Sequence, residues 1–252
     1  MDPTQRFSSR VENYARYRPG YPPEILDLLR QQCGLNSQQV IADIGSGTGI
    51  LTELFLKNGN TVMGVEPNRE MREAAERLLK QYPKFHSITG TAEATTLNEQ
   101  SVDMIVAGQA FHWFKRQPAR KEFVRILKPG GWVALIWNDR KTTSSPFLEA
   151  YERLLHTYST DYAAVDHKQI DQQVIRSFFA PNEFRQHGFQ NQQLLGWEGL
   201  QGRLMSSSYA PEAGHAKHEP MLKELRSIFD KYQMDDRVAF EYDTLIYYGQ
   251  LG

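Results

Sequence analysis

Three glycines alternate with other residues directly after a short apolar run and just before an amphipathic segment. The run Val40–Ile44 is typical of a strand, and Gly45, Gly47 and Gly49 follow it. Residues without a Cβ let the backbone turn sharply and let a ligand lie against the main chain. A helix beginning near Ile50 would point free N–H groups at that ligand. The sequence therefore predicts a nucleotide-binding turn.

The spacing of these glycines argues against a dinucleotide. A dinucleotide-binding turn has the pattern G-x-G-x-x-G, in which the third glycine packs the helix against the strand and the pyrophosphate rests on the helix end. Here Ile50 stands at the third position. A nicotinamide-dependent oxidoreductase is therefore an alternative with less support than a protein that binds a different nucleotide.

From Val40 to about Arg140 the chain alternates between short β-rich runs and helical stretches. Strands joined through helices form a parallel sheet with right-handed crossovers, so the alternation predicts an α/β fold. The five predicted strands of this region are Val40–Ile44, Thr61–Val65, Phe85–Thr89, Met104–Ala107 and Trp132–Trp137.

The other segments are expected to surround this core. In chain order we predict an N-terminal arm or lid, a nucleotide-binding core, a helical cap insertion above the sheet, and a C-terminal part of the sheet with helices. Their bounds are residues 1–39, 40–140, 141–188 and 189–252.

Several elements are predicted within the last two segments. In the cap insertion, Ser145 and Pro146 start a helix rich in aromatic and leucine residues, and a second helix covers Gln169–Phe179. The C-terminal segment is predicted to contain a strand, two helices and a final antiparallel strand, over Asn191–Trp197, Gly199–Ser207, Glu219–Tyr232 and Arg237–Tyr248.

Composition limits the classes of partner. The 252 residues carry a formal net charge of −1, which gives no general attraction to nucleic acid or to membrane surfaces. The longest apolar run, Trp132–Trp137, is far shorter than the roughly 20 residues that span a bilayer. The single cysteine, Cys33, cannot form an intrachain disulfide, and the first residues lack the apolar core of a signal peptide. We expect a cytoplasmic protein, monomeric or homodimeric, that binds neither nucleic acid nor membrane.

Four stretches of the chain, in this order, resemble the motifs of the class I methyltransferases that use S-adenosylmethionine. Asp43 stands two residues before the first glycine, which gives the pattern D-x-G-x-G-x-G of the first motif. Glu66 follows the second predicted strand, Gly90–Leu97 is similar to the loop after the third strand, and Leu127–Trp137 is similar to the fifth strand and the helix end before it. The resemblance implies a doubly wound, mostly parallel, seven-stranded, Rossmann-like sheet with S-adenosylmethionine as cofactor.

The cofactor-binding residues follow from these motifs and from their chemistry. The Asp43 carboxylate either orders the turn or approaches the ammonium group of the cofactor. Glu66 can accept hydrogen bonds from both ribose hydroxyls and also favours the start of the next helix. The resemblance implies that Ala92 and Glu93 lie at the adenine, with an exposed loop as the alternative. The predicted cofactor-binding residues are Asp43, Gly45, Ser46, Gly47, Gly49, Glu66, Pro67, Ala92, Glu93, Gln109, Tyr17 and Arg18.

The segment after the fourth strand bears on the methyl acceptor. Many methyltransferases acting on amide or base nitrogens carry Asn/Asp-Pro-Pro-Tyr/Phe there, whereas Gly108–Phe114 lacks that motif. Its Ala-Phe-His-Trp-Phe, and Tyr17–Pro22 in the arm, resemble the group of small-molecule methyltransferases that includes trans-aconitate methyltransferase. The resemblance implies a small-molecule acceptor and allows a carboxylate, which is ionised at pH 7 and needs no general base. A catalytically silent nucleotide-binding module of the same fold is the alternative.

Four side chains are candidates for contact with the acceptor. His112 can take up a proton near neutral pH and is the candidate catalytic residue, with a packed structural histidine as the alternative. The guanidinium of Arg16, like that of Arg18, can grip a carboxylate of the cofactor or of an acidic acceptor through two parallel hydrogen bonds, unless it lies on a solvated basic face. Trp113 and Trp137 can line an apolar acceptor pocket, although aromatic stripes more often form core. No metal site is predicted.

Overall fold

The computed structural model describes residues 10–162 and 172–252. The first nine residues of the predicted arm lie outside these ranges. Residues 163–171 of the predicted cap insertion, including the predicted helix start at Gln169, also lie outside them.

Within the described ranges, seven strands form one sheet. The strands are β1 (Val40–Ile44), β2 (Thr61–Val65), β3 (Phe85–Ile88), β4 (Val102–Gly108), β5 (Leu127–Arg140), β6 (Phe184–Leu195) and β7 (Val238–Gly249). Their order across the sheet is β3-β2-β1-β4-β5-β7-β6.

The first five strands run parallel, and β7 lies antiparallel between β5 and β6. The chain moves outward from β1 to β2 and β3 on one side, and then to β4 and β5 on the other. Such a switch point leaves a crevice at the carboxyl ends of the strands, where open α/β sheets bind ligands. The predicted doubly wound, mostly parallel sheet is confirmed.

Nine helices surround the sheet in the described part of the chain, and none of them is both long and apolar enough to cross a membrane. They are α1 (Val11–Tyr17), α2 (Glu24–Cys33), α3 (Ile50–Lys57), α4 (Arg69–Leu78), α5 (Arg116–Ile126), α6 (Pro146–Tyr158), α7 (Gln172–Phe179), α8 (Trp197–Met205) and α9 (His218–Tyr232).

The parallel strands are buried on both faces, because each strand alternates its side chains between two cores. Ile41 of β1 packs in the core that contains Leu29 of α2 and Phe55 of α3. The next residue of β1, Ala42, points the other way. It packs with Ile44 in the core that contains Phe123 of α5. Strands covered on both faces are apolar at nearly every position, which is why they could be predicted from the sequence.

The predicted cap insertion separates into two parts. Helix α6 starts as expected, with the Ser145 side chain accepting a hydrogen bond from Leu148 N, and it packs with α8, α9 and the outer end of β7 in a third core. Helix α7 differs from the expectation of a helix above the sheet. Its Ile175, Phe178 and Phe179 lie in the core beside α5, because their helical spacing forms one apolar stripe that covers the sheet.

Strand β6 starts earlier than predicted, at Phe184 instead of Asn191. It pairs with β7 alone among the described strands, and most of its side chains are exposed or partly exposed. An edge strand of this kind has no need of apolar side chains, so its sequence carries no strand signal over most of its length. For the same reason the predicted end of the cap insertion, residue 188, lies several residues inside β6.

The arm connects the cap side of the molecule to the nucleotide-binding core, since α1 packs against both α8 and α4. Arg10 donates hydrogen bonds to the carbonyls of three residues at and beyond the end of α8, at 2.6 to 3.1 Å. At the other end of α1, the ring of Tyr17 lies directly on Gly202 of α8, and its hydroxyl contacts Glu198 at 2.8 Å. Gly20 then accepts hydrogen bonds from two sheet side chains, Asn138 and Asn191.

We predict that Gly202→Ala loosens the arm and leaves the sheet intact. A Cβ at position 202 would lie 2.1 Å from the Tyr17 ring, so the ring has to move away. Limited trypsin digestion should cut the arm at Arg16 several-fold faster than in the parent protein. Gly199→Ala in the same helix is the control, because its Cβ would meet only the Leu195 side chain, at 3.2 Å. Equal cleavage rates in the two variants would contradict this account of the docked arm.

Candidate functional site

The turn after β1 is held against the end of β2 by main-chain hydrogen bonds. Gly45 N and Ser46 N donate to the Val65 carbonyl at 2.8 and 3.2 Å, and Gly49 N donates to the Ser46 carbonyl at 2.9 Å. Gly45 has a φ of 72°, and a Cβ there would lie 2.6 Å from the Cβ of Ala110. Glycine is therefore required at position 45 by the left-handed backbone and by the close approach of the neighbouring segment.

Asp43 presents one unpaired carboxylate oxygen beside this turn. Its side chain is 1% exposed, and Oδ2 accepts a hydrogen bond from the Thr52 hydroxyl at 2.6 Å. Oδ1 is buried and has no hydrogen-bond partner. Burial raises the pKa of Asp43 to about 7, with the Thr52 hydroxyl opposing the rise and the charge of Glu66 adding to it. A cationic group at this place would give Oδ1 a partner and favour the ionised carboxylate.

Glu66 fastens the end of β2 to the glycine turn. It is 8% exposed, its Oε2 accepts from Gly47 N at 3.0 Å, and its Oε1 accepts from Asn68 N at 2.9 Å. Burial raises the pKa of Glu66, while these two backbone donors lower it. Pro67, the next residue, contributes its carbonyl oxygen, which accepts from Arg72 at 2.8 Å. The structure thus brings the second predicted motif into direct contact with the first.

The loop after β3 lies next to the start of α5. Ala92 is 5% exposed and belongs to the core that contains Phe123. Glu93 Oε1 accepts a hydrogen bond from Lys115 N at 2.7 Å. Within the described residues, neither Ala92 nor Glu93 lines the cavity described next, so their predicted contact with adenine stays a prediction.

A cavity of about 160 Å³ opens beside the turn. Its walls come from the glycine turn, the segment after β4, the arm, the last residues of β5, and residues of the cap side of the molecule. The predicted site residues that line it are Arg18, Asp43, Gly45, Ser46, Gly47, Gln109, His112 and Trp113. One cavity therefore joins the predicted nucleotide turn to the predicted acceptor segment.

The segment after β4 is held in a strained conformation at the cavity wall. Gln109 has a φ of 56°, which is unusual for a residue with a side chain, and sparsely populated conformations cluster at functional sites. Its Nε2 donates to the Asn138 carbonyl at 2.9 Å. The rings of His112 and Trp113 lie 4.6 Å apart in the short 3₁₀ turn that follows.

Eight predicted residues do not line the cavity: Glu66, Pro67, Ala92 and Glu93, described above, together with Gly49, Trp137, Tyr17 and Arg16. Trp137 is 5% exposed and packs in the core, with its ring 6.2 Å from that of Phe111. Tyr17 covers α8, as described above. Arg16 is largely exposed and pairs with Glu198 at 3.0 Å, so it lies on a solvated face. For Trp137 and Arg16 the alternative interpretations, core and basic surface, describe the observed positions. Gly49 is the last glycine of the turn, and a Cβ there would contact the Leu79 side chain.

Other residues that sequence reasoning missed also line the cavity, among them Tyr21, Arg140 and Arg203. Arg140 ends β5, and the rule that ligands bind at the carboxyl ends of parallel strands could have identified it. Arg203 lies within α8 and is 5% exposed, and no local pattern distinguishes it from a surface arginine. Within residues 10–162 and 172–252, no group of three or more His, Cys, Asp or Glu side chains could hold a metal ion.

Known proteins resemble this chain most clearly in its central part. Residues 42–135 match a family model described as a methyltransferase domain. An uncharacterized methyltransferase of Schizosaccharomyces pombe is 36% identical over 150 residues, which are 59% of this chain and 58% of that protein. A methyltransferase-like protein of the same organism is 28% identical over 246 residues, which are 96% of this chain and 93% of that protein. An uncharacterized methyltransferase of Mycobacterium bovis is 37% identical over 139 residues, covering 55% of this chain and 54% of that protein. The chain thus aligns with little more than half of the first and third relatives.

Solved structures of methyltransferases share the fold. A candidate type II methyltransferase from Anaeromyxobacter dehalogenans has a TM-score of 0.69 at 19% identity, covering 93% of this chain and 98% of that chain. A phosphoethanolamine N-methyltransferase of Haemonchus contortus, solved with S-adenosylhomocysteine, has a TM-score of 0.58 at 15% identity, covering 99% of this chain and 59% of that chain. At these identities the likeness concerns the fold alone. Residues 42–135 thus match a methyltransferase domain, and the sheet is the one found in solved methyltransferases, in agreement with the motifs around Asp43 and Glu66.

Proposed function

We propose that this chain transfers a methyl group from S-adenosylmethionine to a small-molecule acceptor that carries a carboxylate. The observation that supports this most directly is the mixed lining of the cavity. It combines the glycine turn and the unpaired oxygen of Asp43 with the guanidinium groups of Arg18 and Arg203. The first set suits a ligand with an ammonium group, and the second suits an anion.

The residues at the turn fit the cofactor. Asp43 Oδ1 is a buried acceptor in need of a donor, which the cofactor's ammonium group supplies. Each Glu66 oxygen accepts a single hydrogen bond from the backbone, so each keeps capacity to accept from a ribose hydroxyl. Bound there, S-adenosylmethionine supplies a methyl group already activated by the positive charge on sulfur. The residues of this chain then have to hold the acceptor in line with that group.

The chemistry at the acceptor end is positioning. Holding two reactants in line can account for about 7 to 11 kcal/mol of the barrier in favourable cases. A carboxylate is already ionised at pH 7, so its oxygen can attack without losing a proton. In this reaction His112, which lines the cavity, orients the acceptor and does not need to act as a base.

Replacing Glu66 tests the donor site. Glu66→Ala removes the acceptor for the ribose and the partner of Gly47 N, so affinity for S-adenosylhomocysteine should fall by about tenfold or more. Isothermal titration calorimetry gives the affinity, and the melting curve shows whether the variant is folded. Glu76→Ala on the exposed face of α4 is the control and should bind normally. Equal affinities for the two folded variants would place the ribose elsewhere.

The raised pKa of Asp43 predicts a pH dependence. With a pKa of about 7 the carboxyl is mostly neutral below that pH, and the cofactor's ammonium group pairs with the ionised form. Affinity for S-adenosylhomocysteine should therefore rise between pH 5.5 and 7.5, with proton release on binding that calorimetry in buffers of different ionisation enthalpy can detect. Asp43→Asn should flatten this profile. A flat profile in the parent protein would show that Asp43 does not meet the ammonium group.

Turnover tests the acceptor class. The protein, incubated with methyl-labelled donor and fractionated acidic metabolites, should form a labelled methyl ester that alkali hydrolyses. His112→Ala should retain most of the rate, well short of the 10²- to 10⁴-fold losses typical when a general base is removed. A base-like loss with unchanged donor affinity would instead indicate an acceptor that must lose a proton. An alkali-stable product would exclude a carboxylate, and donor binding without turnover on any fraction would favour the silent module.

A further inference from the structure

Two guanidinium groups meet at the cavity wall where the arm passes the cap side of the molecule. Arg18 follows α1, and Arg203 comes from α8. Both line the cavity. Their hydrogen-bond partners are adjacent in the chain, Ser206 for Arg18 and Ser207 for Arg203, and burial followed by the positive charge of Arg203 lowers the pKa of Arg18.

The partners of these two groups are neutral. Arg18 Nη2 donates to the Ser206 carbonyl at 2.9 Å, and Arg18 Nε is buried with no hydrogen-bond partner. Arg203 donates to the Tyr242 hydroxyl at 3.3 Å and to Ser207 Oγ at 3.2 Å. Carbonyl and hydroxyl oxygens satisfy some N–H groups but do not neutralise the charge.

Other arginines near the cavity are compensated. Arg140 pairs with Glu152, and the Tyr162 hydroxyl lies 2.9 Å from the same Nη2 atom. Asp139 also lines the cavity, but among the described residues no ion pair joins a carboxylate to Arg18 or Arg203. Among the arginines that line the cavity in the described part of the chain, Arg18 and Arg203 are therefore the two without a carboxylate partner.

This arrangement is unfavourable for the protein alone. A charge taken out of water loses hydration, and without an opposite partner that loss is not offset. Two like charges side by side in a region of low dielectric add repulsion. Departures of this kind from the rules of stable packing are expected where a ligand binds.

We infer that the acceptor carries a second, non-reacting anionic group, and that Arg18 and Arg203 together bind it. The shared chemistry is an oxyanion, either a carboxylate or a phosphate, whose oxygens can accept from both guanidinium forks. The reacting carboxylate loses its charge when it is methylated, whereas this anchoring group keeps its charge throughout. The inference rests on the proposed function, because it assumes an acceptor in the same cavity.

Calorimetry on protein saturated with S-adenosylhomocysteine tests the inference, with succinate, inorganic phosphate and the neutral diamide of succinate as probes. At least one of the two anions should bind the parent protein, and the diamide should not. Tighter binding of succinate assigns the anchoring group as a carboxylate, and tighter binding of phosphate assigns it as a phosphate. If neither anion binds, or if the diamide binds equally well, the inference is wrong.

Arg203→Met should weaken binding of the favoured anion by about tenfold or more. The matched control is Arg226→Met, an exposed arginine paired with Asp230 far along the chain in α9, which should leave anion binding unchanged. Equal anion affinities in the two variants would overturn the assignment. So would a loss of affinity for S-adenosylhomocysteine in Arg203→Met, because the pair would then bind the cofactor.

The stability of Arg203→Met separates a binding role from a structural one. Removing an uncompensated buried charge should leave the melting temperature of the ligand-free protein equal to or above that of the parent. A lower melting temperature with unchanged anion affinity would make Arg203 structural and overturn the inference. If Arg203→Met does not fold, Arg203→Lys and Arg18→Met replace it, with the same expected loss of anion affinity. Failure of the parent protein to bind S-adenosylhomocysteine would contradict the proposed function itself, and normal binding without an anion effect contradicts only the anchoring pair.

Discussion

The hydrogen bonds between the turn after β1 and the end of β2 determine where the rest of the site lies. Main-chain donors of the turn bind the Val65 carbonyl, and Gly47 N binds the Glu66 carboxylate. These bonds fix the left-handed glycines and set the direction of α3. Helix α3 in turn carries Thr52, whose hydroxyl holds one oxygen of Asp43 and leaves the other facing the cavity. A chain of local contacts therefore fixes the position of a buried acid and of a helix N-terminus before any ligand is present.

Charge is unevenly distributed along the cavity as a result. Asp43 and Glu66 are buried at the turn, where burial raises both pKa values and the charge of Glu66 adds to the rise at Asp43. Arg18 and Arg203 line the same cavity, and among the described residues no carboxylate pairs with either of them. A cofactor with an ammonium group and an acceptor with an anionic group would together supply partners for the buried carboxylates and for the two arginines. In a confined space of low dielectric, this complementarity also orients the two ligands relative to each other.

The sequence predicted what depends on local chemistry. The glycine turn, the parallel strands and the carboxylate at the end of β2 are each encoded within a few residues, and the structure brings them together. It did not predict what depends on contacts between distant segments. Arg203 bonds to Tyr242 of β7, which is far from it in the chain, and Trp137 packs in the core that contains Phe178 of α7. The predicted β6 was too short, because an edge strand with exposed side chains has no apolar signal in the sequence.

The arm therefore contributes to the cavity wall in a way that its own sequence does not predict. Arg10 is fastened to the end of α8, and Gly20 is fastened to the sheet through Asn138 and Asn191. Arg18 lies between these two attachments, so its guanidinium reaches the cavity only while α1 is docked. The cationic part of the wall is thus assembled from two segments far apart in the chain, and an anion that bridges Arg18 and Arg203 also joins the arm to α8. Because the two equilibria are linked, an anion that binds more tightly when the arm is docked also stabilises the docked arm. Acceptor binding and closure of the cavity therefore favour each other.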